Sequence, residues 1–178
     1  MTIDPAIYTT APADGLPKEL ETYRLLDALG IPYQRISHEP AMTIADCTDV
    51  DRLLGVSMCK NLLLCDRRQT AFYLLLLPGE KTFRSSDFSR ELGISRVSFA
   101  PGERMEELLN ITPGSLSIMG LAYDTARRVR LCIDRETAGA AYIGCHPCVN
   151  TASMKLRTAD VLEKFVPYTG HDVTLVTL

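Results

Sequence analysis

Tryptophan is absent from this 178-residue chain, and aromatic residues make up only 7% of it. An extended platform on which single-stranded nucleic acid stacks base after base is therefore not expected. Cations are in the minority, with 19 Lys and Arg against 22 Asp and Glu and a net charge of −3. Proteins that coat DNA or RNA through a broad electrostatic footprint are usually basic, so DNA and general RNA coating are excluded. A short single-stranded end gripped by a few local cations is not. Long apolar runs are missing too: the longest, 71–77, falls far short of the roughly 20 residues that span a bilayer. The first residues, Met-Thr-Ile-Asp-Pro, carry neither a basic n-region nor an apolar h-region. These features predict a cytoplasmic protein with no membrane partner. Neither G-x-G-x-x-G nor G-x-x-x-x-G-K-S/T occurs, which removes the common nucleotide-binding loops.

What is present is a globular composition, 46% hydrophobic and 23% charged. A single domain of this size buries roughly 70% of its unfolded surface without a staple. Six cysteines in a chain with no export signal are expected to be reduced thiols. Cys65 and Cys132 lie in apolar runs and read as core residues. Cys145-His146-Pro147-Cys148 has the spacing of a redox or zinc motif. Redox pairs normally sit at a helix N-terminus that lowers the thiol pKa, whereas this pair lies in a strand-to-loop turn. A four-ligand zinc site needs a second ligand pair that is missing, and the zinc-deaminase signature fails because Thr151 stands where its last cysteine should be. No metal and no cofactor are expected.

Residues 1–16 mix Pro, Thr, Ala and Gly without periodicity and predict a loose leader before a single domain over 17–178. Helices are predicted at 17–29, ended by Gly30, and from the capping box Thr43-Ile-Ala-Asp46 to Gly55. Three more are predicted: one capped by Ser85 or Ser86 and ending at Gly93, one at 103–109, and one capped by Thr158 and running to Phe165. Strands are predicted at 33–37, 60–66 and 70–77, the last two a hairpin through Arg67-Arg68-Gln69. Others are predicted at 97–100, 117–119, 129–134, 141–145, 153–156 and 173–176. Many short strands with a few helices predict an α+β fold: a strongly curved, barrel-like mixed β-sheet with helices packed outside.

Three segments carry polar groups where chemistry could be done. Lys60-Asn61 opens an apolar strand; such a lysine either keeps its ammonium in solvent at a rim or aims it into a cleft that an anion compensates. Asn61 adds an amide with both donors and acceptors. In Ile111-Thr-Pro-Gly-Ser-Leu-Ser-Ile118, a Pro-Gly turn is either an ordinary type II turn or a main-chain cradle for an oxyanion. His146, one of three histidines, sits between Gly144-Cys145 and Pro147, close to Asn150 and Thr151.

The order Lys60-Asn61-Leu62, Pro113-Gly114-Ser115, His146-Pro147 and Asn150-Thr151 resembles the YbaK/prolyl-tRNA editing domain family, in particular its freestanding ProX-like branch. Supporting stretches are His38-Glu-Pro-Ala-Met-Thr43, Arg96-Val-Ser-Phe-Ala100 and Leu131-Cys-Ile-Asp134, so the resemblance covers roughly 22–165. It implies metal-free hydrolysis of the ester between a wrong amino acid, alanine above all, and the terminal adenosine of proline tRNA. Lys60 would hold the terminal nucleotide, Gly114 and the following Ser115, Leu116, Ser117 and Ile118 would face the scissile carbonyl, and His146 would line the aminoacyl pocket. Asn61 and Asn150 would give polar support. The implied partners are the acceptor end of an aminoacylated tRNA and prolyl-tRNA synthetase. Arg67, Arg68, Arg127, Arg128 and Arg130 are either further grips on the tRNA or solvated loop tips. Where the family's turn commonly reads Gly-x-x-x-Pro, this chain has Ile118, which puts amino-acid choice in question. The rival reading is a non-catalytic module that uses the same cleft to recognise a tRNA end or a synthetase.

Overall fold

A computed structural model describes residues 1–41 and 47–178. The chain begins with α1 (Pro17–Ala28), whose first-turn proline suits an N-terminus and which is ended by Gly30 at φ 61°. Strand β1 (Tyr33–Ser37) follows, then α2 (Thr48–Leu54), ended by Gly55 at φ 60°. The capping box expected at Thr43–Asp46 lies outside the described residues. Strands β2 (Lys60–Cys65) and β3 (Phe72–Leu77) form the expected hairpin, in register from Lys60 opposite Leu77 to Cys65 opposite Phe72. Asp66 closes its turn by accepting the N–H groups of Thr70 and Ala71 at 2.7 and 2.9 Å. All six residues of β3 are buried, which explains its unbroken apolar run: both faces of the strand are covered.

Helix α3 (Ser85–Leu92), the two-residue strand β4 (Ser98–Phe99) and α4 (Gly102–Leu109) come next, followed by a 3-10 turn at Ile118–Ala122. Then come β5 (Val129–Asp134), α5 (Arg135–Gly139), β6 (Tyr142–Cys145) and β7 (Ala152–Arg157). A continuous helical stretch runs through α6 (Thr158–Asp160), a π turn (Val161–Phe165) and α7 (Val166–Thr169), and β8 (Val173–Val176) closes the chain.

The fold is mixed α+β, as expected, but the strands form two sheets rather than a barrel. One has the order β1-β7-β6 and is antiparallel; the other has the order β4-β2-β3-β5-β8, with β5 parallel to both β3 and β8. Among the described residues they meet in a single bridge, where the Cys59 N–H donates to the Gly144 carbonyl at 2.9 Å. A Cβ on Gly144 would lie 2.9 Å from the Ser57 carbonyl oxygen and 3.0 Å from Met58 Cα, so only glycine permits this approach. One core cluster draws on both sheets and on α1, with Tyr23, Leu63, Leu74, Leu131, Ile143 and Met154 among its members.

Four local expectations are corrected. Within the expected leader, residues 3–8 are paired: Tyr8 exchanges backbone hydrogen bonds with Arg35 at 2.9 and 2.8 Å, Asp4 N–H donates to Ser37, and Ile3 bridges His38. The segment satisfies the free edge of β1, and its lack of periodicity reflects pairing through main chain alone. The strand expected at 117–119 is the 3-10 turn, because the Ser117 hydroxyl caps it by accepting the Met119 N–H at 3.2 Å. Ser85 and Thr158 are first helical residues rather than caps, those places being taken by Arg84 and Arg157. Helix α5 was not expected; its signal was Asp134, whose carboxylate accepts the Glu136 N–H at 3.0 Å.

Candidate active site

A cleft of about 340 Å³ opens where β2 begins, between the two sheets. The edge of β2 away from β3 is covered by β4 only at Leu64 and Cys65. The strand's first residues are thus left at the cleft, and both Lys60 and Asn61 line it. The Lys60 ammonium donates to the Lys81 carbonyl at 2.7 Å and has no carboxylate partner among the described residues. That carbonyl is held in place because the Lys81 ammonium lies 3.1 Å from each oxygen of the buried Asp134 and 3.3 Å from Glu136. A cation satisfied only by a neutral acceptor is suited to receive an anion. The Asn61 amide donates to the Cys59 carbonyl at 3.0 Å, and its Oδ1 is buried without a partner among the described residues. An unsatisfied buried acceptor of this kind costs about 1–3 kcal/mol.

The opposite wall comes from the loop before the 3-10 turn. Ser115 N–H donates to the Thr112 carbonyl at 3.1 Å, with Pro113 and Gly114 between them and Gly114 at φ 89°. This is the type II pattern, which needs glycine at its third position. Since Gly114 has no side chain, what it presents to the cleft is main chain. Leu116 lines the cleft beside it. Ser115 and Ser117 point inward and are buried, and Ile118 is fully buried in the core at the start of the 3-10 turn.

The third wall is His146. Its Nδ1 lies 2.7 Å from the Ala152 carbonyl oxygen and 3.4 Å from the Ser153 hydroxyl. A carbonyl only accepts, so Nδ1 carries the proton and Nε2 the lone pair. Ser153 in turn lies 2.9 Å from Nε2 of His38, whose Nδ1 donates to the Glu39 carbonyl at 2.7 Å. His146, Ser153 and His38 therefore form one hydrogen-bonded chain under the cleft floor. Burial, opposed by the Ala152 hydrogen bond and assisted by His38, pushes the His146 pKa down to about 4. His146 is a neutral imidazole at neutral pH, so it offers an acceptor and a fixed shape rather than a charge. No carboxylate is among the described lining residues; Ala41, Met58, Leu62, Met105 and Leu116 make the rest of the wall largely apolar.

Residues 38–164 match the model of the aminoacyl-tRNA editing domain. This chain belongs to the aminoacyl-tRNA editing domain family. It is 29% identical over 153 residues to the prolyl-tRNA editing protein ProX of Acetoanaerobium sticklandii, covering 86% of this chain and 93% of that one. It is 32% identical over 170 residues to prolyl-tRNA synthetase associated domain-containing protein 1 of Danio rerio, covering 94% and 89%. Among solved structures, one described as that of a proposed trans-editing enzyme for prolyl tRNA synthetase shares the fold at TM-score 0.68 and 14% identity, over 93% of this chain and 99% of that one.

Of the residues singled out from the sequence of this editing domain, the fold brings Lys60, Asn61, Gly114, Leu116 and His146 to one cleft. It does not bring Ser115, Ser117, Ile118 or Asn150 among the lining residues; the Asn150 carbonyl instead accepts the Ala41 N–H at 2.9 Å. Missed from the sequence were Met105 on α4, Cys47 and Ala41, which reach the cleft only through tertiary packing, and Ser153, whose signal is only its place two residues after Thr151. Cys145 and Cys148 are free and buried. Burial raises both thiols, Cys148 to about 11. A redox pair needs the opposite shift. No helix among the described residues is long and apolar enough to cross a membrane.

Proposed function

We propose that this editing domain is a trans-acting deacylase that hydrolyses the ester of mischarged tRNA, with Ala-tRNA(Pro) its best-fitting substrate. The observation that carries the reading is the convergence of Lys60, whose ammonium faces no carboxylate among the described residues, with Asn61, the Gly114 main chain and His146 on one small, mostly apolar cleft. Lys60 pairs with the phosphate of the terminal nucleotide. Gly114 polarises the ester carbonyl through its main chain, and Asn61 gives polar support beside Lys60. The alanyl methyl sits against Met58, Leu62, Met105 and Leu116, and His146 bounds the pocket as a neutral acceptor. Water attacks the carbonyl carbon, the bond from that carbon to the ribose oxygen breaks, and the ribose oxygen leaves with a proton. The products are the free amino acid and uncharged tRNA.

An ester needs little more than this, because positioning and a preorganised oxyanion site supply most of what its hydrolysis requires. A pocket scaled to alanine also completes a second sieve against an error that binding alone resists, since one methylene discriminates by only about 1–3 kcal/mol. Such a chain works in the cytoplasm, on tRNA released from or still near prolyl-tRNA synthetase.

The test is release of labelled alanine from Ala-tRNA(Pro) by wild type and Lys60→Ala. Rapid release that collapses by about 100-fold or more in the variant is expected. Release that survives the substitution removes Lys60 from the site, and tRNA binding without release by wild type supports the non-catalytic module instead.

A further inference from the structure

Phe99 is 63% exposed, the most exposed of the large hydrophobic side chains among the described residues. It stands on the edge strand β4, where a bare aromatic ring is a liability unless something covers it part of the time. It is also braced. Phe83 lies 5.8 Å from it, Phe88 lies 6.3 Å from Phe83, and Tyr73 lies 5.8 Å from Phe88, a ladder of rings running from the surface into the core. Phe99, Phe83 and Ser85 border a hollow of about 650 Å³ together with Arg67 and Arg96. Both arginines are exposed, and neither is in a salt bridge among the described residues. By contrast Arg90, Arg104 and Arg128 are all held by carboxylates.

The position of this hollow relative to the cleft follows from strand register. Leu64 is the partner of Phe99, and paired residues project to the same face. Lys60, Leu62 and Leu64 alternate onto that face of β2. Four residues of strand separate Lys60 from the Phe99 pair, about 13 Å at roughly 3.3 Å each. That is the rise of about four stacked nucleotides at roughly 3.4 Å each. The cleft and the hollow thus lie toward the two ends of β2, with Leu62 lining the cleft and Leu64 buried beside Phe99.

We propose that this hollow is a second RNA subsite, in which Phe99 stacks an unpaired base upstream of the terminal adenosine while Arg67 and Arg96 take the adjoining phosphates. The proposal rests on the deacylase reading for the identity of the RNA, the single-stranded 3′ end of the tRNA whose ester lies in the cleft. A single ring flanked by two unpaired guanidiniums is enough to hold a strand end, and it reconciles RNA binding with a net charge of −3.

The experiment compares two substrates, Ala-tRNA and the ester 3′-O-alanyl-adenosine 5′-monophosphate, which fills only the cleft. Phe99→Ala is expected to raise KM for Ala-tRNA about tenfold and to leave kcat, and all constants for the small substrate, unchanged. Phe99→Tyr is expected to behave as wild type. Arg67→Ala combined with Arg96→Ala is expected to reduce the salt dependence of binding to an uncharged CCA-ended acceptor-stem RNA by about two phosphate contacts. Equal losses on both substrates would mean damage to the cleft rather than loss of a subsite, and would overturn the proposal. Unchanged KM and RNA affinity in Phe99→Ala would overturn it as well, leaving the ring to a protein partner. If wild type cleaves neither substrate, the deacylase reading fails by itself, and the RNA affinities alone decide the subsite.

Discussion

Replacing His146 by Asn should flatten the acid limb of the protein's stability. In the folded chain burial holds the His146 pKa at about 4, against an ordinary histidine value of about 6.5. Between those values the unfolded chain binds a proton that the folded chain refuses, so stability falls as pH drops through this window and is fully present above it. Carrying the two values through the linkage relation gives a loss of up to about 2 kcal/mol between about pH 7 and about pH 5 from this one residue. Asn retains an N–H for the Ala152 carbonyl and does not titrate, so the variant keeps the hydrogen bond and loses the pH term. His38, also lowered by burial, and the carboxylates remain in both proteins, and the difference between the two curves isolates His146. The assay is urea unfolding at a series of pH values, read as midpoint and slope. Stability curves that run parallel from about pH 7 to about pH 5 would refute the argument, because they would mean that the imidazole titrates alike in both states.

Two further outcomes follow from the packing around the cleft. Gly144→Ala drives a Cβ to 2.9 Å from the Ser57 carbonyl; thermal melts should show a loss of about 1–3 kcal/mol, with activity falling because the displaced Cys59 adjoins Lys60, and an unshifted melt would contradict the tight bridge. Lys81→Met strands the buried Asp134 carboxylate, which among the described residues keeps its hydrogen bonds from Glu136 and Leu178 alone. A destabilisation of about 1–3 kcal/mol in denaturant titrations is expected, partly recovered by adding Asp134→Asn, and the absence of that recovery would show that the pair is not coupled.

Much of this molecule was legible before any coordinates. The hairpin of β2 and β3, the αL glycines that end three helices, and the ends of β1, β5 and β8 came within a residue or two of expectation, because apolar periodicity and glycine at a positive φ are local properties of the chain. The residues that carry the family resemblance, Lys60, Asn61, Gly114 and His146, were legible for the same reason, since motif order is written along the chain.

What tertiary structure alone decided is where those residues meet and which neighbours they keep. Whether a run of strands closes into a barrel or stays as two sheets depends on strand register and on the single close approach at Gly144, neither of which a period-2 pattern encodes. The pairing of residues 3–8 along β1 escaped notice because hydrogen bonds through main chain leave no side-chain pattern. Ser115 and Ser117 read from the sequence as ligand groups, but the loop turned both hydroxyls inward and gave the cleft wall to Gly114 and Leu116. Met105 became a wall of the pocket, His146 a neutral imidazole and Phe99 an exposed ring through contacts between segments far apart in sequence. Local composition names the chemical groups available, while burial, which sets their charge and partners, belongs to the packed whole.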